Sequence, residues 1–217
     1  MRRTLRIDGV AWVLLSALSC LGALVVTAIC VRAGPLPADT PLAHALDWQP
    51  RLGLSEPWRL WTCAWVHGSA AHLLVNIAGG TVVAFVGWRA RLPAAAAVAW
   101  MLAWPGTQLL MATIDSERLA AAMPHYFGLS GALHAGVVVL GLWLAGAPAG
   151  ARPRERWIGA AIVAATLAKV ASEAPWDLAP RASQALGIAV APVAHACGVG
   201  AGLLAYAAVR LVVRPGR

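Results

Sequence analysis

The chain of 217 residues is poor in charge. Only 12% of it is Asp, Glu, Lys or Arg, against about 25% in soluble domains. It has one lysine, Lys169, and nine acids. Tyr and Phe are scarce, with two of each, whereas Trp reaches 11. The shortage of charge, with 60% apolar residues and a mean hydropathy of +0.70, excludes an ordinary soluble domain, much of whose outside must face water. It equally excludes a disordered chain, which is low in apolar residues. The four cysteines form no C-x-x-C or metal-spaced cluster. What is present points to an integral membrane protein. The net charge of +8 then reads as topology and contact with anionic lipid, not as nucleic-acid binding.

A spanning helix needs about 20 mostly apolar residues. Six stretches qualify, at about 9–31, 70–87, 92–114, 127–145, 157–171 and 186–213. The expected fold class is an all-α polytopic membrane protein, a six-helix bundle occupying 1–217 as a single domain. The first stretch follows Arg2, Arg3 and Arg6 as a signal peptide would, but Cys30-Val31-Arg32-Ala33-Gly34 is a poor A-x-A cleavage site, so it reads as a retained helix. Arg2, Arg3, Arg6, Arg89, Arg91, Arg152, Arg154, Arg156, Arg210, Arg214 and Arg217 fall on one side, and five other arginines on the opposite side. The positive-inside rule then places both termini in the cytoplasm and the loop 32–69 outside. In a bacterium that means the inner membrane, with the outer side facing the periplasm. Within the loop, Trp58, Trp61 and Trp65 follow helical spacing and suit an anchoring belt at the membrane interface.

Polar groups inside the bilayer are costly, and ionisable ones usually mark function. Singly, Ser130 would bond its own helix, Asn76 and any one histidine would act as interhelical glue, and Lys169 would snorkel or bond a carbonyl. Depth changes that. Ser130 is expected about one turn, ~5 Å, below the outer surface and His195 ~13 Å below it, from the helical rise. His72 and Asn76 share a face near the outer end of the second stretch. A serine hydroxyl needs a base, which a neutral imidazole supplies. The oxyanion formed on attack needs donors, and His72, Asn76 and the Ser130 amide qualify. With no acid inside the spans, a Ser130–His195 dyad is what the residues support. Gly128 and Gly131 flank the serine, and Gly198 and Gly202 follow the histidine at i+3 and i+7, which suits a close helix crossing. Cys63 and Cys197 both lie toward the outer side, where an oxidising periplasm permits a disulfide.

Three blocks resemble the rhomboid intramembrane serine proteases. Trp58-Arg59 followed by His67, His72 and Asn76 is similar to that family's W-R…H-x4-H-x3-N segment. Gly128-Leu129-Ser130-Gly131 is similar to its G-x-S-G motif, and His195-Ala196-Cys197-Gly198, continuing to Gly202, to its H-x-x-G-x-x-x-G helix. The resemblance implies Ser130 as nucleophile, His195 as base, and His72, Asn76 and the Ser130 amide as oxyanion hole, with Trp58, Arg59 and His67 holding structure. Many rhomboids carry Tyr one turn after the serine; here His134 stands there, and stacking on His195, tuning its pKa and acting as a second base are all open to it, with packing the favoured role. His134, the short chain and Tyr126-Phe127 resemble the rhombosortase branch, although Ala135 stands where that branch usually has Gly. That branch implies membrane-anchored protein substrates ending in Gly-Gly, an apolar helix and a basic tail. No cofactor is expected. The rivals are a general rhomboid protease cutting other single-span proteins, a metal- or haem-binding protein using His67, His72, His134 and His195, and an inactive rhomboid-like chaperone or a transporter. His67 and His72 are five apart, off the i, i+4 spacing that puts two ligands on one face.

Overall fold

The computed structural model describes residues 9–34, 37–146 and 153–213. Arg2, Arg3, Arg6, Arg152, Arg214 and Arg217, which the charge-based orientation uses, lie outside the described residues. Helix α1 is Val10–Ala33, followed by short α2 (Pro41–Leu46) and α3 (Arg59–Thr62). Then come α4 (Ala70–Arg89), α5 (Ala94–Met111), short α6 (Ser116–Ala122), α7 (Ser130–Ala145) and α8 (Pro153–Ser172). An antiparallel hairpin, β1 (Arg181–Ser183) and β2 (Ile188–Val190), leads into α9 (Pro192–Val212). The protein is thus mostly helical. Among the described residues α1, α4, α5 and α9 are long and apolar enough to cross a membrane. Helix α7 is apolar but has 16 residues, and α8 carries Arg154, Glu155, Arg156 and Lys169.

The sixth expected stretch is divided. Gly187, at φ +63°, turns the hairpin, and Ala191 is extended before Pro192, as the residue preceding proline prefers. The helix therefore starts six residues later than hydropathy suggests, and His195 lies in its first turn rather than deep within it. The tryptophan stripe is also divided. Helix α3 ends after four residues, so Trp58 and Trp61 stay exposed while Trp65 turns inward to meet Trp104 edge-on.

Helix α9 packs along α5 and α7, α7 packs on α8, and α1 lies against α4. Small residues allow this. A Cβ on Gly198 would overlap the Gly131 carbonyl, and one on Gly202 would stand 2.8 Å from the Ala135 carbonyl oxygen. Buried indoles bind the other crossings: Trp12 Nε1–H donates to the Val83 carbonyl at 2.9 Å and Trp100 Nε1–H to the Ala132 carbonyl at 2.8 Å. All four cysteines are free thiols, so the Cys63–Cys197 pairing is not formed. Burial pushes the Cys63 thiol well above the usual thiol range.

Candidate active site

Ser130 is the first residue of α7 and His195 the fourth of α9, so the glycine crossing of these two helices brings them together. The turn into α7 requires Gly128, whose φ is +115° and whose added Cβ would stand 2.7 Å from His72 Cε1. The Ser130 hydroxyl donates to His195 Nε2 at 3.0 Å. His195 Nδ1–H donates to Glu173 Oε2 at 2.8 Å. An acid does reach the histidine, contrary to expectation. It was missed because Glu173 follows the last residue of α8 and belongs to no apolar stretch. Its signal was its spacing, one helical turn beyond the only lysine.

That lysine does not snorkel. Lys169 Nζ contacts Glu173 Oε1 at 2.9 Å and donates to His134 Nε2 at 2.8 Å. His134 Nδ1–H in turn donates to the Ser130 carbonyl at 2.7 Å. The His134 and His195 rings are stacked, with centroids 4.2 Å apart and planes 19° from parallel. The hydrogen-bond partners thus fix both tautomers. Partial burial pushes the Glu173 carboxyl up, but the hydrogen bonds and charges of His195 and Lys169 outweigh it and leave the group below the usual carboxylate value.

On the other side of the serine, Ser69 Oγ caps α4 by accepting the His72 N–H at 3.0 Å, and its hydroxyl donates to the Leu186 carbonyl of the hairpin. Asn76 Nδ2 donates to His67 Nε2 at 3.0 Å, and His67 Nδ1 faces the Trp65 carbonyl at 3.3 Å. One amide hydrogen of Asn76 is thereby committed, and the other has no partner among the described residues. His72 Nδ1 and Tyr126 Oη are buried without a hydrogen-bond partner among the described residues. Both line a cavity of about 720 Å³ that also meets Asn76, Ser130, Glu173 and His195. Buried unpaired polar atoms are rare and costly. The other such atoms, on Thr27, Trp48, Trp65 and Trp104, lie away from this cavity.

A second polar cluster fastens the loops. Arg59 donates to the His44 carbonyl and the Asp47 carbonyl, each at 2.6 Å, to Asp47 Oδ1 at 3.0 Å and to Glu56 Oε2 at 2.6 Å. Exposed Trp58 donates from Nε1 to the Ala45 carbonyl at 3.2 Å. His125 Nδ1–H donates to Asp47 Oδ2 at 2.6 Å, with His44 Nδ1 at 3.7 Å from the same oxygen. Backbone bonds between Trp48 and Tyr126 join this loop to the segment entering Ser130. The ligand-type atoms of His44, Asp47 and His125 lie within 4.8 Å of one another. Arg59 and His125 bond the two carboxylate oxygens, with His44 beside them, which makes the cluster a hydrogen-bonded junction between loops. The histidines of the metal or haem rival separate into two ring pairs, His67–His72 and His134–His195, and both nitrogens of His134 are taken by protein groups.

The fold defines a helical membrane protein whose helices gather serine, imidazole and carboxylate at one cavity. A family model described as a Rhomboid domain matches residues 54–211. The chain belongs to the rhomboid family, which is one of intramembrane serine proteases acting on membrane proteins. No curated protein matches the chain.

Proposed function

We propose that this rhomboid-family chain is an endopeptidase with Ser130 as nucleophile and His195 as general base, working near the periplasmic face of a bacterial inner membrane. The observation that carries this reading is the 3.0 Å hydrogen bond from the Ser130 hydroxyl to His195 Nε2 at the edge of the cavity. The reading includes six spans, both termini in the cytoplasm, and one domain over 1–217.

Ser130 Oγ attacks the scissile carbonyl carbon while its proton passes to His195 Nε2. The oxyanion is held by the Ser130 N–H, which lies in the first turn of α7 and so lacks an intrahelical partner, by His72 and by the second amide hydrogen of Asn76. Support comes from His72 Nδ1, which is buried with no other partner. The C–N bond then breaks, and His195 returns the proton to the leaving amine. Water, deprotonated by His195, hydrolyses the acyl-enzyme and regenerates Ser130.

The substrate class is a membrane-anchored protein with a C-terminal Gly-Gly, apolar helix and basic tail, as in the rhombosortase branch. Support lies in His134 at i+4 from Ser130 and in Tyr126-Phe127 before the serine motif. Gly-Gly at the head of a helix leaves the backbone free to unwind, so the bond can extend into the cavity. The test is a membrane assay with a reporter bearing that tail. Wild type shortens it, and Ser130→Ala and His195→Ala do not. Cleavage by Ser130→Ala overturns the serine mechanism. Cleavage of other single-span proteins, with this tail ignored, overturns the substrate class alone.

A further inference from the structure

We infer that Glu173 and Lys169 are positioning residues that join the Ser130–His195 pair and His134 in a five-membered relay closed by α8. The inference rests on the serine reading above and adds a function to residues outside all three motif blocks.

Glu173 Oε2 accepts from His195 Nδ1–H at 2.8 Å. That bond places the imidazole hydrogen on Nδ1 and leaves Nε2 as a lone pair aimed at the serine hydroxyl. A histidine with the opposite tautomer cannot take the serine proton. When His195 becomes an imidazolium, the same carboxylate faces the new charge. It is also needed there for another reason. Lys169 Nζ stands 3.5 Å from His195 Nδ1, and a bare ammonium at that distance would oppose formation of the imidazolium. Glu173 lies between the two charges, with Oε1 on Lys169 and Oε2 on His195.

Lys169 has its own task. Its ammonium can only donate, so its contact with His134 Nε2 fixes His134 with the hydrogen on Nδ1, bonded to the Ser130 carbonyl. His134 is thereby removed as a second base and held as a flat surface against which His195 stacks. The relay draws Ser130 and His134 from α7, Lys169 from α8 with Glu173 just past its end, and His195 from α9. Displacement of the outer end of α8 therefore breaks it, while the Ser130–His195 contact between α7 and α9 survives.

The experiment measures kcat, KM and the unfolding midpoint of the full chain in membranes or detergent, using the tail reporter. Glu173→Gln lowers kcat roughly 100-fold or more, with KM within twofold and the midpoint unchanged. Glu173→Asp recovers most of kcat. Lys169→Met alone lowers kcat with KM within twofold and the midpoint unchanged, because His134 loses the donor that fixes its tautomer, and Lys169→Arg, which also only donates, recovers it. Wild-type kcat in Glu173→Gln, with Ser130→Ala inactive, overturns the relay and leaves the serine reading standing. Activity in Ser130→Ala overturns the serine reading itself. Wild-type kcat in Lys169→Met overturns the role assigned to Lys169.

Discussion

Two polar clusters in this protein are built from the same kinds of residue and end in different places. His44, His125, Asp47 and Arg59 form one; His134, His195, Glu173 and Lys169 form the other. Each has two imidazoles, a carboxylate and a cation. In the first, the carboxylate is 1% exposed and the cation's bonds end on backbone carbonyls and acids. In the second, the chain of bonds ends on the Ser130 hydroxyl, beside a cavity holding the unpaired His72 Nδ1 and Tyr126 Oη. Composition does not separate a fastening from a reactive centre. What separates them is whether the network closes on itself or, on the serine reading proposed above, stops at a hydroxyl facing a largely apolar cavity.

The largest expected effects break this comparison if they fall on the wrong side. Ser130→Ala and His195→Ala should each lower reporter cleavage by about 10³-fold or more while leaving the unfolding midpoint in place. Arg59→Ala should do the reverse. It leaves the buried Asp47 carboxylate without its cation, and loss of one partner of a buried pair costs about 3–5 kcal/mol. Denaturant titration should show that loss, with kcat of the remaining folded fraction near wild type. A drop in kcat at full stability would mean that Arg59 belongs with the reactive cluster.

Much of this contrast was legible in the sequence, for identifiable reasons. Ser130, His195, His72 and Asn76 stood out because a polar residue in an apolar run is costly, and Gly131, Gly198 and Gly202 because glycine spacing marks close crossings. Glu173 did not stand out, since an acid just outside an apolar run is ordinary in a loop. Its meaning came from three-dimensional placement: α8 ends where α9 begins its first turn. The start of α9 was misjudged because Ile188 and Val190 are apolar, and hydropathy alone does not distinguish a short strand from a helix end. Gly187 and Pro192 carried that information. His44 and His125, lying in loops, gave no periodic signal, and only the fold brings both to one carboxylate.

An intermediate effect is expected from His67, which stands between the two behaviours. It is buried and hydrogen-bonded like the first cluster, yet its partner Asn76 lines the cavity. Burial holds its imidazole down at about 4, against an ordinary value of 6.5. As pH falls from 6.5 toward 4 the unfolded chain takes up the proton and the folded chain does not, so stability is lost over that window and is fully present above it. The loss amounts to about 3 kcal/mol. His67→Gln should lessen the dependence of the unfolding midpoint on pH between those limits, the other buried histidines retaining theirs. An unchanged slope would place the acid sensitivity elsewhere.

The smallest expected effect comes from a third ion pair, Arg51 with Glu117. Its contact distance is 3.0 Å, the same as that from Arg59 to Asp47 Oδ1, but its side chains are 65% and 70% exposed. Solvent screens such a pair, and holding two long side chains in one geometry costs entropy, so the net contribution is about 0–1 kcal/mol. Glu117→Ala should therefore shift the unfolding free energy by less than ~1 kcal/mol and leave cleavage at the wild-type rate. The difference from Arg59→Ala would then come from burial and from the carbonyls that Arg59 gathers, not from the charge pair as such. Equal losses in the two variants would overturn that account and make pairing, rather than closure of a buried network, the source of the loop cluster's strength.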